Sequence, residues 1–108
     1  MKQPRPKKLA RAVARYRALG DETRLRILHL LVGGEVCVCD LAAQLDITQP
    51  LLSFHLKTLR DADLVRARRD GRWTHYSVDP GALEELGGSL SALVREHRKR
   101  STLAVKCC

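Results

Sequence analysis

The chain has 108 residues, with 20 Lys and Arg against 12 Asp and Glu, a net charge of +8 and a sequence pI near 9.9. With 44% hydrophobic, 4% aromatic and 30% charged residues it is sized for one domain with one core, and it is too charged and too poor in aromatic residues for a β-sandwich. No apolar run approaches the roughly 18 residues of a membrane span and no apolar stretch follows the basic start, so a cytoplasmic protein with no membrane partner is expected.

From about Lys7 to Leu19, the residues Leu9, Ala12, Val13, Tyr16 and Leu19 form a helical stripe with arginines on the other side, stopped by Gly20. Asp21 suits the N-cap of a second helix with Leu25, Leu28, Leu31 and Val32 on its apolar face, ended by Gly33-Gly34. Asp40 to Leu45 reads as a short third helix, with Asp40 favourably near its positive end. Thr48 caps a fourth, in which Pro50 is tolerated in the first turn and Leu52, Leu56 and Leu59 continue the core stripe. The period then changes. Leu64 to Arg69 and Arg72 to Val78 are β-rich runs flanking Asp70-Gly71, a dipeptide that favours a tight hairpin because both positions tolerate positive φ. A last helix runs from Pro80 to about Arg100 with Leu83, Leu86, Leu90, Leu93, Val94 and His97 on one side; Gly87-Gly88 in its middle suggests a close helix approach or a kink.

The order of two short helices around Asp46-Ile47, then a basic hairpin, is that of a winged helix-turn-helix: mainly α with a small β-hairpin, a single DNA-binding domain over 1–108 with a flexible tail at about 101–108. Positive charge is clustered. Eight of the 20 basic residues lie between Lys2 and Arg24, four are Arg66, Arg68, Arg69 and Arg72, and five are Arg95, Arg98, Lys99, Arg100 and Lys106. Such clustering fits a polyanion binder, whose cations release counterions from phosphates, and by itself equally fits a solubility device.

The fourth helix favours the first reading. At 100° steps Leu52, His55, Leu56 and Leu59 share the core side, while Gln49, Ser53, Lys57 and Arg60 fall within about 80° on another. These are side chains that hydrogen-bond base edges or phosphates from a major groove. Phe54, at the edge of that face, either touches a thymine methyl or packs against the wing. His55 falls with the leucines, as a hydrogen-bonded structural histidine rather than a ligand. Arg68, Arg69 and Arg72 surround the hairpin tip, where a minor groove or flanking phosphates would be met.

The four cysteines fall in two pairs, Cys37 with Cys39 and Cys107 with Cys108, and in a reducing compartment they are thiols or ligands. Residues i and i+2 of a helix point about 200° apart, so Cys37 and Cys39 can face one ion only where the chain is a turn or extended. The start of the third helix would favour the thiolate of Cys39. Two thiolates are too few for a closed zinc site but suit a soft ion if a third sulfur arrives. The tail cysteines can supply it, since seven or eight extended residues beyond Arg100 span roughly 25 Å.

Several segments together resemble the ArsR/SmtB family of metal-sensing winged-helix repressors over about Arg17 to Val78. They are Ala18-Leu19-Gly20-Asp21-Glu22-Thr23-Arg24-Leu25-Arg26-Ile27-Leu28, Thr48-Gln49-Pro50 with Ser53-Phe54-His55-Leu56, and Asp70-Gly71-Arg72-Trp73-Thr74-His75-Tyr76. Glu35-Val36-Cys37-Val38-Cys39-Asp40-Leu41 is similar to the box of the arsenite-responsive branch, departing from it at Ala42, where that box usually has a third cysteine. The resemblance implies a homodimeric repressor on a near-palindromic operator, paired through the first and last helices. As(III) or Sb(III) bound by three thiolates, Cys37 and Cys39 with Cys107 or Cys108, would release it. A repressor of the same fold that answers cadmium, lead or zinc, or thiol oxidation, is the alternative. An enzyme is not expected: a Cys-x-Cys oxidoreductase needs a βαβ context, and no Ser-His-Asp, paired-carboxylate or phosphate-loop arrangement implies catalysis or an organic cofactor.

Overall fold

The helix-turn-helix expected from the sequence is present in a computed structural model, which describes residues 6–103. The elements are α1 (Pro6–Leu19), α2 (Glu22–Leu31), β1 (Val36–Cys37), α3 (Val38–Leu45), α4 (Gln49–Asp61), β2 (Val65–Asp70), β3 (Trp73–Val78) and α5 (Pro80–Leu103). Local chemistry sets most of the boundaries. Asp21 caps α2 by accepting from the Arg24 N–H at 3.0 Å, and Thr48 caps α4 by accepting from the Leu51 N–H at 3.4 Å. Between α3 and α4 the chain turns through Asp46, left-handed at φ 54°. The end of α4 is a Schellman closure: the Leu64 N–H reaches the Leu59 carbonyl, the Asp63 N–H reaches that of Arg60, and Asp63 is left-handed.

The core gathers Ile27, Leu28 and Leu31 of α2, Leu41 and Leu45 of α3, and Leu52, Leu56 and Leu59 of α4 under Leu64, Val65, Tyr76 and the first turns of α5. On α2 this corrects the expected face. Ile27 is fully buried, whereas Leu25 is exposed and Val32 is 77% exposed, because Val32 already lies beyond the last helical turn. On α1 the arginines do not all face solvent. Arg15 is buried, donating to the Ala62 carbonyl at 3.1 Å and to Glu85 Oε2 at 2.9 Å, and so joins α1, the end of α4 and α5.

The wing is larger than a hairpin. Its sheet has three antiparallel strands in the order β1-β3-β2, with Val36 opposite Tyr76 and Cys37 opposite His75. A two-residue strand carries no alternating pattern of its own, so β1 is visible only through its partner. The hairpin turn is also displaced by one residue. Asp70 still pairs with Trp73, leaving Gly71 and Arg72 as the turn, and among these four only Gly71 has positive φ, as in a type II′ hairpin.

Helix α5 runs unbroken through Gly87-Gly88, and a Cβ at either glycine would meet nothing within 4 Å, so the close approach expected there is absent within the described residues. Ala82 and Leu86 enter the core, but Leu90, Leu93 and Val94 are exposed, as are Leu9, Val13 and Tyr16 of α1; Tyr16 Oη and Ser89 Oγ are hydrogen-bonded at 2.7 Å between the two helices. The helix continues through Ser101–Leu103, three residues expected in the tail, while Cys107 and Cys108 lie outside the described residues. Among the described residues no helix is long and apolar enough to cross a membrane.

Candidate functional site

Helix α4 presents two faces set by its 3.6-residue period. Leu52, His55, Leu56 and Leu59 are buried; Thr48, Gln49, Ser53, Lys57 and Arg60 are exposed. His55 is held rather than free to bind an ion: its Nδ1 lies 3.2 Å from Arg24 Nη1, and Arg24 Nε donates to the Ala18 carbonyl at 2.7 Å. Helix α4 is thereby tied to the junction of α1 and α2. Phe54 resolves toward solvent. It is 61% exposed with its ring edge-on to His55 at 5.6 Å, and Leu51 beside it is exposed as well. Lys57 pairs one turn on with Asp61 at 2.8 Å.

The wing arginines are not equivalent. Arg68 makes a bidentate pair with Glu35, both contacts at 2.8 Å, and Arg66 pairs with Asp79 at 3.3 Å. The Arg68 guanidinium holds the Glu35 carboxyl below its ordinary range; for Asp79 the Ala82 N–H does the same, helped by Arg66. Arg69 and Arg72 are exposed near the tip, Arg72 lying over the Trp73 ring at 5.9 Å.

The two thiols meet where strand becomes helix. Cys37 is extended (φ −68°, ψ 145°) and stands at the N-cap position of α3 without a side-chain capping bond, whereas Cys39 is already in its first turn, which brings the sulfurs to 2.9 Å. The expected preference for the Cys39 thiolate is reversed. The hydrogen bond with Cys37, then burial, the Cys37 charge and the Asp40 carboxylate, push the Cys39 thiol up, against the Asp40 N–H, which pulls it down. The pair opens on a cleft of about 320 Å³ whose walls include Gln49 and Ser53 of α4 and Arg72 and Trp73 of the wing. Among the described residues no group of three His, Cys, Asp or Glu side chains is placed to hold a metal ion.

Structure thus joins two sets of residues that sequence had kept apart, the thiols and the outer face of the helix-turn-helix. Glu35 and Trp73 stand in sequence only as members of longer motifs, with no role of their own: Glu35 is 33 positions from its partner Arg68, and only its place at the edge of the Cys-x-Cys segment could have drawn attention to it.

Residues 21–67 match the model of the family described as bacterial regulatory protein, arsR family. The chain is 48% identical over 66 residues to the arsenical resistance operon repressor of Escherichia coli (strain K12), covering 60% of this chain but only 56% of that relative. It is 41% identical over 78 residues to the protein of that name from Bacillus subtilis (strain 168), covering 71% of each. Among solved structures, an ArsR-like transcriptional regulator from Rhodococcus sp. RHA1 superposes with a TM-score of 0.81 at 26% identity, over 90% of this chain and 92% of that one. HlyU from Vibrio cholerae N16961 does so at 0.67 and 32% identity, over 84% and 96%.

Proposed function

The chain belongs to the arsR family of bacterial regulatory proteins, DNA-binding repressors rather than enzymes, and on that premise we propose that it is a repressor released from its operator by arsenite or antimonite. The observation that carries this reading is the shared cleft: the Cys37 and Cys39 sulfurs, 2.9 Å apart, open on the same hollow as Gln49 and Ser53 of α4 and Arg72 of the wing. An ion seated on the thiols stands against the surface that would face DNA.

In this reading the exposed apolar residues of α1 and α5 pair across a two-fold axis, and the two copies of α4 meet successive major grooves about 34 Å apart. Gln49 and Ser53 read bases, Phe54 meets a thymine methyl, and Thr48, Lys57, Arg60, Arg69 and Arg72 hold phosphates; Arg68 joins them if it leaves Glu35. Cys107 or Cys108 supplies the third sulfur for inorganic arsenic. A coupling of about 1–3 kcal/mol between thiol site and operator lowers DNA affinity roughly 5- to 150-fold.

The test is operator dissociation by arsenite, measured for wild type, Cys37→Ser and the Cys107→Ser/Cys108→Ser double variant. All three bind operator, and only wild type is released at low arsenite; dissociation of Cys37→Ser at wild-type arsenite levels would overturn the reading. Repeating the titration over pH separates a metalloid from cadmium, lead or zinc. Arsenious acid brings hydroxyls that leave as water with the thiol protons, so its affinity stays nearly flat about neutrality. A divalent cation must expel those protons, and its affinity climbs with pH.

A further inference from the structure

The buried histidine of α4 is tied to its surroundings by more than packing. Leu52, Leu56 and Leu59 fix how deep the helix lies, but apolar contact is non-directional and leaves small rotations about the helix axis cheap. Direction comes from two arginines. Arg15 donates to the Ala62 carbonyl just past the end of α4, and Arg24 reaches the middle of the helix, with Nη1 3.2 Å from His55 Nδ1. The Arg24 fork is itself clamped: Nε donates to the Ala18 carbonyl at 2.7 Å and Nη2 to the Arg17 carbonyl at 3.2 Å. A guanidinium has donors only, so the Nδ1 that faces it is the acceptor, and the single proton of the neutral ring lies on Nε2.

From this geometry we infer that Arg24 is a positioning residue for DNA binding, holding the outer face of α4 in place through an unprotonated His55, and that a proton on His55 undoes the tie. A protonated ring would set two cations 3.2 Å apart, whereas Asp21 Oδ2 stands 3.9 Å from the same Nδ1. The imidazolium therefore trades Arg24 for Asp21 with a small movement. Asp21 is ready to accept it, because the Arg24 N–H, and after it the Arg24 charge, hold the Asp21 carboxyl below its ordinary range. Arg24 and Asp21 are the charged groups set on the ring, both from α2 and its cap. On the side of α1 the carbonyls of Arg17 and Ala18 hold the guanidinium, while α3 and β2, also packed on α4, give the ring no hydrogen-bond or ion-pair partner among the described residues. Phe54 stands edge-on to the ring at 5.6 Å and is exposed, so a turn of the imidazole reaches the outer face. The inference rests on the reading that this face meets DNA, and is independent of which ligand releases the repressor.

The test uses the full-length chain and a DNA duplex that it has itself selected from random sequence. Affinity is measured at fixed salt between about pH 8 and about pH 5, the range in which histidine side chains change charge. Added positive charge alone tightens binding to a polyanion as pH falls, so weakening on acidification is a signature that neither charge nor plain packing produces. Wild type is expected to weaken by about tenfold or more at the acid end, the scale of one hydrogen bond to a charged group, while circular dichroism shows the chain still folded. His55→Asn, whose Oδ1 can accept where Nδ1 does and takes no proton, keeps wild-type affinity at the basic end and loses the decline. His55→Leu, which packs but accepts nothing, is weaker by about tenfold already at the basic end. Arg24→Lys, which keeps the charge but not the fork, behaves like His55→Leu. In wild type, long-range proton–nitrogen NMR correlation finds the His55 proton on Nε2 at the basic end.

A lone proton on Nδ1 at the basic end, binding that stays level or tightens as the folded chain is acidified, or a decline that His55→Asn shares would each overturn the inference. The reading of α4 fails by a different measurement. Undiminished base discrimination in both Gln49→Ala and Ser53→Ala removes α4 from the DNA interface, and leaves the exchange of partners at His55, read from the spectrum, standing without its effect on binding.

Discussion

Helix α4 and the wing both line the thiol cleft and are held by different forces. The helix is anchored by apolar burial, with Leu52, Leu56 and Leu59 almost wholly out of water, and its outer residues are placed by helical geometry alone. The wing has a single buried residue on each long strand, Val65 and Tyr76, and depends on strand pairing and on ion pairs to Glu35 and Asp79. One of its strands, β1, ends in Cys37. Burial is insensitive to local chemistry, whereas a two-residue strand and an exposed ion pair are not. A ligand on the thiols therefore has more leverage on the wing than on the core of α4.

The comparison breaks most severely at Leu52. Replacing this fully buried side chain by alanine removes about 2–5 kcal/mol of stability through lost transfer energy and a residual cavity, read as a fall in the midpoint of denaturation. An effect below 1 kcal/mol would mean that α4 is not core-anchored. Gln49→Ala leaves stability nearly unchanged and reduces operator discrimination by about 1–3 kcal/mol, seen as relaxed preference at one base position per half-site in competition binding.

On the wing, Glu35→Gln frees Arg68 for a phosphate. The slope of log affinity against log salt steepens by about one counterion, and tighter binding accompanies it at low salt. Weaker binding would show instead that the pair holds the wing in its DNA-binding position. The smallest effect is expected at Glu85, whose carboxyl is held below its ordinary range first by the hydrogen bond from Arg15. A depressed carboxylate contributes stability above its unfolded pKa and loses it as pH falls through the folded value. The difference in Tm between wild type and Glu85→Gln is therefore present at neutral pH and closes in acid, below the usual glutamate range.

Much of this molecule could be read locally. The caps at Asp21 and Thr48, the division of α4 into a leucine face and a polar face, the position of His55 among the leucines and the proximity of the Cys37 and Cys39 thiols all follow from residues within a few positions of one another. Several local readings failed because a long-range partner had intervened. The Arg15 charge reads as solvent-facing until Ala62 and Glu85 enclose it; Arg68 reads as a free cation until Glu35 takes it; Val36 and Cys37 read as a loop until β3 pairs with them.

Helical period and capping are properties of neighbouring residues, so the sequence by itself determined the helices, their order and the polar outer face of α4. Which charges are occupied, that the thiol segment is a strand of the wing, and that thiols, recognition helix and wing enclose one cleft were decided only in the tertiary structure. Those contacts join residues tens of positions apart, and no local pattern encodes the pairing of groups that meet only after the chain has closed on itself.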